Sequence, residues 1–234
     1  MKFLSIKTLL LLLIFTKSTE SLQSQSSLNQ TGAWYMYFYN TDFKESQWGI
    51  QGDLQYRNWN IVGDLEQLLI RSGLTYKLKD SNHKFTLGAA HITSGTPGDS
   101  DQTTSEFRIY QEALVPQTIG SRFYLTHRFR YEQRFVDEQD FRTRYRYNLF
   151  LNIPLNKTTF EKNTYYLALY NEIFINGQQD IGNGRSVSIF DRNRTYLGLG
   201  FTIKTSLKIQ AGWMNQKTDV LGKGQWQLSC HHNF

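Results

Sequence analysis

The hydrophobic and polar positions between residues 122 and 153 alternate with a period of two. This period is typical of a β-strand with two different faces, whereas a helix would scatter the arginines around its circumference. An acidic segment, residues 136–140, divides the stretch, which therefore predicts a long hairpin with one aromatic and aliphatic face and one arginine-rich face. Each arm is far longer than the ~5–6 residues of an average strand and reaches the ~9–11 residues that cross a bilayer.

The same alternation recurs along the chain after residue 31, and no segment shows helical periodicity. It gives about eleven strand candidates, separated by polar loops such as residues 94–104 and 176–188. Single-chain bacterial outer-membrane barrels have even strand numbers. We therefore predict an all-β fold, a single antiparallel transmembrane β-barrel of about twelve strands over residues 32–234, with ten strands as the alternative. For twelve strands, residues 22–31 have to contain a further strand.

The N-terminus has the features of a secretory signal peptide. Lys2 and Lys7 precede a short apolar segment at residues 9–15, and small residues follow near position 21. The apolar segment is too short to span a membrane as a helix. We predict a signal peptide at residues 1–21, a flexible segment at residues 22–31, and a bacterial outer-membrane location after cleavage.

In a membrane barrel the charged face of each strand lines the lumen and the apolar face meets lipid, whereas a soluble sheet packs its apolar face against a core. The charged residues predicted to face the lumen are Asp53, Arg57, Arg71, Glu106, Arg108, Glu112, Arg128, Arg130, Glu132, Arg134, Arg142, Arg144, Arg146, Glu172, Arg192 and Arg194. The residues predicted to face lipid are Phe123, Leu125, Phe129, Tyr145, Tyr147, Leu149, Leu151, Leu167, Leu169, Leu197 and Leu199. Phe234 ends the chain on the apolar face of its last strand and resembles the assembly signal of bacterial outer-membrane barrels.

Several segments of the chain together resemble a known family. They are GAWYMYFYN at residues 32–40, QYRNW at 55–59, RSGLTYKL at 71–78, RFRYEQRF at 128–135, RTRYRYNLFLNIPL at 142–155, YLALYNEIFIN at 166–176 and FDRNRTYLGLGF at 190–201, followed by the terminal strand. They resemble the domain-of-unknown-function family numbered 2490, a set of secreted bacterial barrel proteins. The resemblance covers most of the mature chain. It implies an outer-membrane barrel and no activity, so it assigns no catalytic residue.

Arginines outnumber carboxylates on the predicted inner face, which has two interpretations. The charges either fill a structural barrel with ion pairs, since buried charges are normally paired, or make a small anion-preferring pore, since charged rings set selectivity in pores. A soluble secreted β-barrel binding protein is an alternative, and it would bury the aromatic face and expose the arginines. Five tryptophans near predicted strand ends favour the membrane barrel, because such residues form interfacial girdles. They are Trp34, Trp48, Trp59, Trp213 and Trp226.

A lipid-modifying hydrolase of the outer membrane is a further alternative, and it needs a Ser–His pair with an orienting Asn, Asp or Glu. The candidate histidines are His83, His91, His127, His231 and His232, of which His127 lies on the apolar face of a central strand. The chain has no Gly-x-Ser-x-Gly motif, so we predict no catalytic residue. His231 and His232 face opposite ways in a strand, and we predict no metal and no cofactor. The predicted partners are outer-membrane lipid and, during biogenesis, the barrel assembly machinery. Inward-facing arginines do not indicate nucleic-acid binding.

Overall fold

The computed structural model describes residues 31–220 and 222–234 and folds them into eleven β-strands. The strands are β1 (Gly32–Asp42), β2 (Trp48–Asn58), β3 (Leu65–Lys77), β4 (Lys84–Gly95), β5 (Thr103–Ile119), β6 (Phe123–Val136), β7 (Arg142–Pro154), β8 (Thr164–Asn176), β9 (Phe190–Lys204), β10 (Leu207–Lys217) and β11 (Gly222–Asn233). The predicted signal peptide, residues 1–21, and residues 22–30 of the predicted flexible segment lie outside the described residues. No helix in the described part of the chain is long and apolar enough to cross a membrane.

The strands close into one barrel in which each strand pairs with its neighbours in the sequence. Sequential neighbours run antiparallel, and β1 and β11 close the barrel in parallel, from Gly32 opposite Gln225 to Asn40 opposite Asn233. The prediction of one all-β barrel is therefore confirmed, and the predictions of twelve or ten strands are wrong. Those numbers assumed that every neighbouring pair is antiparallel. A parallel first and last pair closes an odd number of strands, because parallel strands also exchange backbone hydrogen bonds.

Because β1 and β11 run in the same direction, β1 begins at one end of the barrel and β11 ends at the other. We call these the N-terminal end and the C-terminal end. The N-terminal end, where β1 begins, carries loops 59–64, 96–102, 137–141 and 177–189 and residues 218–220, whereas the C-terminal end carries loops 43–47, 78–83, 120–122, 155–163 and 205–206 and the terminal Phe234. The longest loop, 177–189, contacts loop 137–141 through the Asp140 amide, which donates to the Ile181 carbonyl oxygen at 3.0 Å. The longer loops therefore lie mostly at the N-terminal end.

The outer wall of the barrel is apolar on every strand, because the alternating side chains place their apolar members outward. Exposed examples, one from each strand in order, are Tyr35, Leu54, Ile70, Leu87, Phe107, Phe129, Tyr145, Ile173, Leu199, Ile209 and Leu228. The wall is continuous because neighbouring strands place these residues side by side, as Phe129 and Tyr147 do at a ring separation of 5.1 Å.

The residues predicted to face lipid lie on this outer wall with different exposures. Phe123, Phe129, Tyr145, Leu197 and Leu199 are exposed, and Tyr147, Leu167 and Leu169 are half-buried. The remaining three, Leu125, Leu149 and Leu151, are buried and form a hydrophobic cluster with neighbouring side chains that include Tyr147 and Leu169. The terminal Phe234 is exposed, and its amide donates to the Asn40 carbonyl oxygen at 2.9 Å, which holds the last residue against β1.

Candidate functional site in the barrel lumen

The charged residues predicted for the inner face are brought together inside the barrel. All of them are buried except Arg128 and Arg192, which are half-buried. They divide into two regions along the barrel axis. We call the region next to the N-terminal end the sealed half and the region next to the C-terminal end the open half.

Glu132 on β6 is the centre of the sealed half and is 1% exposed. Its two carboxylate oxygens accept from Arg144 Nη2 at 2.7 Å and from Arg146 Nη1 at 2.6 Å, both on β7. Arg108 and Arg130 approach within 3.7 and 3.8 Å. Cross-strand register explains the arrangement, because Glu132 stands directly opposite Arg144. One carboxylate thereby offsets part of the charge of four guanidiniums.

A second carboxylate, Glu106 on β5, joins the same ion network. It accepts paired hydrogen bonds from Arg108, at 2.5 and 2.7 Å, and from Arg134, at 2.5 and 3.0 Å. Asp191 extends the network to β9 by accepting from Arg144 Nη1 at 3.0 Å. These bidentate contacts match the planar fork of the guanidinium group.

Apolar side chains complete the closure of the sealed half. Ile92 and Met214 are 0% exposed, and Phe174, whose ring lies under the guanidinium carbon of Arg146 at 4.5 Å, is also fully buried. Gln225 on β11 fills the same level and donates to Glu66 at 2.8 Å. The inward side chains of the described residues at this level are buried against one another, so they fill this part of the lumen.

A middle layer of ion pairs separates this seal from the open half. Glu112 binds the Arg130 guanidinium, and Glu172 accepts from Arg128 at 2.7 Å and from Arg146. Asp53 and Arg71 form a further pair at 2.8 Å between β2 and β3. Each of these arginines already has a carboxylate partner, so their charge is largely offset within the barrel wall.

The open half contains a cavity of about 430 Å³. Its mouth lies at the C-terminal end, where Asn40, Asn152 and Asn233 are part of its lining. Phe160 reaches in from loop 155–163 and packs edge-on against Tyr166 at 5.1 Å, which narrows the mouth. The cavity is thus a pocket that is reached from one end of the barrel.

Two arginines at the inner end of the cavity differ from the others. Arg57 and Arg194 line the cavity, are buried, and make no carboxylate ion pair with any described residue. Both lie over the Trp34 ring, at 3.9 and 4.8 Å from its centroid. A cation above an aromatic face is attracted by the ring quadrupole, which offsets part of its burial cost. Within the described residues, Arg142 also has no ion pair, but it lies in the sealed half and outside the cavity lining.

Three residues of the lumen were missed by the sequence analysis. Trp34 was expected in an outer girdle, and this expectation is wrong, because it is 3% exposed and faces Arg57 inside the barrel. Residues 32–40 are aromatic throughout, so alternation gave no sign of which face is inner. Glu66 and Asp191 also reach the lumen, although the alternation along their strands predicts that they face outward. The register shifts beside them, between Arg57 and Asn58 and between Phe174 and Ile175, and no local signal marks such irregularities.

The histidines show no complete catalytic arrangement in the described chain. His127 contacts the Tyr147 hydroxyl at 2.8 Å and Gln117 Oε1 at 3.3 Å, and neither contact is a serine. His231 Nε2 lies 3.0 Å from Ser229 Oγ inside the lumen, but its ring stacks on Phe38, and no described Asp, Glu or Asn hydrogen-bonds to it. Within residues 31–220 and 222–234, no group of His, Cys, Asp or Glu side chains is placed to hold a metal ion.

The fold and the lumen define a class of protein, a closed β-barrel with an apolar outer wall and a basic, partly filled interior. The chain belongs to the family described as a protein of unknown function, DUF2490, whose profile matches residues 31–227. Neither a curated protein nor a solved structure matches this chain.

Proposed function

We propose that this chain is a bacterial outer-membrane β-barrel that takes small anions into a lumen closed at one end, and that it is not a through-pore. The observation that carries the proposal is the basic cavity. It opens toward the C-terminal end of the barrel, stops at a buried layer of ion pairs, and lies within an apolar outer wall.

The outer wall supports membrane insertion. Soluble monomers rarely expose apolar patches larger than a few hundred Å², whereas the exposed apolar residues of this barrel lie on all eleven strands. Strands of at least 11 residues at ~3.4 Å per residue and a tilt of ~40° span roughly 29 Å, close to the hydrocarbon thickness of a bilayer.

Aromatic pairs near both ends of the outer wall support the same conclusion. The pairs toward the C-terminal end are Trp48–Tyr76 and Tyr165–Phe201, and those toward the N-terminal end are Phe135–Phe141 and Trp213–Trp226, with ring separations of 4.8 to 5.2 Å. Aromatic girdles at both interfaces are typical of outer-membrane barrels. Because long loops of such barrels face outward, the proposal places the N-terminal end outside and the mouth of the cavity toward the periplasm.

The filled lumen favours a receptor-like cavity over the anion-preferring pore. Conduction needs a continuous path of water, and the sealed half places Glu132 and its arginines across that path. The surplus of arginines over carboxylates supports anion uptake into the open half, because the guanidinium fork suits phosphate and carboxylate groups. No contact of the described histidines favours the hydrolase.

Membrane insertion is tested by placing an arginine on the outer wall. Leu197→Arg puts a charge among lipid chains, at a cost of about 2–4 kcal/mol near the midplane. We therefore expect the floated membrane fraction to contain far less folded barrel of this variant than of the wild type. Val62→Arg is the matched control, because Val62 is 83% exposed in loop 59–64, and we expect it to assemble normally. Equal assembly of both variants would show that the outer wall meets water.

The closed lumen is tested by conductance. Purified full-length mature protein reconstituted in planar bilayers should give no steady single-channel current with chloride or phosphate as the anion. Reproducible current steps from the wild-type protein would overturn the closed barrel and restore the anion-preferring pore.

A further inference from the structure

We propose that the inner end of the cavity is a binding site for a small aromatic anion, a phosphate or carboxylate group attached to a ring. The acidic group is held between Arg57 and Arg194, and the ring lies against the aromatic wall beside Trp34. The inference rests on the proposed uptake of anions and specifies which ligand class the cavity takes and where.

The hydrogen bonds of the two arginines leave donors directed at a ligand. Arg57 donates Nη1 to Gln67 Oε1 at 2.6 Å, and Nε and Nη2 to Gln55 Oε1 at 3.0 and 2.5 Å. Two of its five N–H groups therefore remain. Arg194 donates Nε to Gln216 Oε1 at 2.8 Å, and its two Nη groups have no hydrogen bond to the described chain. Because both residues line the cavity, the remaining donors are within reach of an anion that enters it.

The charge at this point also favours an anion. A buried charge is costly unless it is paired, and the amide oxygens of Gln55, Gln67 and Gln216 hold the two guanidiniums without neutralising them. By contrast, Arg71, Arg128, Arg130 and Arg146 along the same cavity each contact Asp53, Glu112 or Glu172. An anion therefore gains more at Arg57 and Arg194 than at the other arginines that line the cavity.

The wall beside these arginines is aromatic, which selects for a ring on the ligand. Tyr170 and Tyr196 stack at 4.9 Å with planes 13° apart, and Tyr166 continues the surface toward the mouth. Gly198 and Gly200 lie under these rings, where a Cβ atom would collide with Tyr196 and Tyr166. The glycines thus let the tyrosines lie flat on the barrel wall and keep the cavity open.

The hydroxyls of Tyr166 and Tyr170 already have hydrogen-bond partners, so these two side chains offer mainly their ring faces to the cavity. Gln210 donates to the Tyr166 hydroxyl at 3.0 Å, and Gln227 exchanges hydrogen bonds with the Tyr170 hydroxyl at 3.0 and 3.1 Å. Offset or edge-on packing against such faces stabilises a bound ring beyond simple burial. A volume of about 430 Å³ is within the range of sites for small organic molecules.

The site is tested with phenyl phosphate, inorganic phosphate and benzyl alcohol as probes. Each is titrated into the full-length mature protein in an uncharged detergent, and binding is followed by calorimetry. We expect phenyl phosphate to bind at least tenfold more tightly than inorganic phosphate, and benzyl alcohol not to bind. Equal affinity for the two phosphates would overturn the aromatic ligand class and leave the proposed anion uptake intact. Binding of neither phosphate would overturn both.

Substitutions locate the site. Arg57→Gln and Arg194→Gln should each weaken phenyl phosphate binding at least tenfold. Arg142→Gln is the matched control, because it also removes a buried arginine without an ion pair but outside the cavity lining, and it should bind like the wild type. Folding of each variant is checked by heat-modifiable migration. Arg57→Lys and Arg194→Lys replace any variant that fails to fold, and they should also weaken binding, because lysine keeps the charge but lacks the planar guanidinium fork that fits a phosphate group. Unchanged binding in both site variants, or an equal loss in Arg142→Gln, would overturn the assignment.

Discussion

The sealed half and the open half of the lumen are both rich in buried arginines, but the arginines of the two regions have different partners. In the sealed half Glu106, Glu132 and Asp191 each contact two or more guanidiniums, so the charges fill the space and hold the strands together. In the open half Arg57 and Arg194 have amide and aromatic neighbours instead. The partner of a buried arginine, rather than the number of charges, therefore decides whether that arginine fills the barrel or lines the cavity.

The largest effect is expected from removing the carboxylate at the centre of the sealed half. Glu132→Gln leaves four guanidiniums around a neutral amide, and breaking a buried ion network of this kind costs about 3–5 kcal/mol. The urea midpoint of the barrel in lipid vesicles should fall accordingly. Glu161→Gln is the control, because its ion pair with Lys157 at 3.5 Å lies in an exposed loop, and its midpoint should not move. A small shift for Glu132→Gln would mean that the sealed half is not held by its ion pairs.

An intermediate effect is expected when a paired and an unpaired arginine are compared directly. Arg146→Met removes one ion-pair partner from both Glu132 and Glu172, whereas Arg194→Met removes a charge that has no carboxylate contact among the described residues. We expect Arg146→Met to lower the free energy of unfolding by about 3 kcal/mol and Arg194→Met to change it by at most ~1 kcal/mol, the cation–π contribution. The measurement is equilibrium unfolding in vesicles. Equal losses would show that a carboxylate partner does not decide how much a buried arginine stabilises the barrel.

The smallest effect on stability is expected from cysteine variants that test which end of the barrel faces the cell exterior. Asp101→Cys in loop 96–102 and Lys44→Cys in loop 43–47, each in a Cys230→Ser background, mark opposite ends of the barrel at exposed positions. A membrane-impermeant maleimide should label position 101 in intact cells and position 44 only after the outer membrane is opened. Neither variant should change stability. Labelling of position 44 in intact cells would show that the C-terminal end, and with it the mouth of the cavity, faces the cell exterior.

Much of the inner face was predictable from the sequence, for a local reason. Strand alternation alone puts Glu132 and Arg144 on the same face, because successive side chains point to opposite sides of a sheet. The partners were not predictable in the same way. Glu172 meets Arg128 across 44 residues of sequence, and Arg194 meets Trp34 only after the barrel has closed.

The strand number shows the same division. The sequence contains about eleven alternating segments. The prediction of twelve or ten strands came from the general rule that bacterial outer-membrane barrels have even strand numbers. The structure pairs β1 with β11 in parallel, and no residue within either strand predicts this pairing.

The order of the amino acids alone predicts the strands, the two faces of most of them and the excess of arginine on one face. These follow from a period of two, which is a property of neighbouring residues. The closed barrel sets which strand edges meet, which guanidiniums contact a carboxylate, and where the lumen contains a cavity. Those features depend on register and closure between residues that are far apart in the chain, so they exist only in the closed barrel.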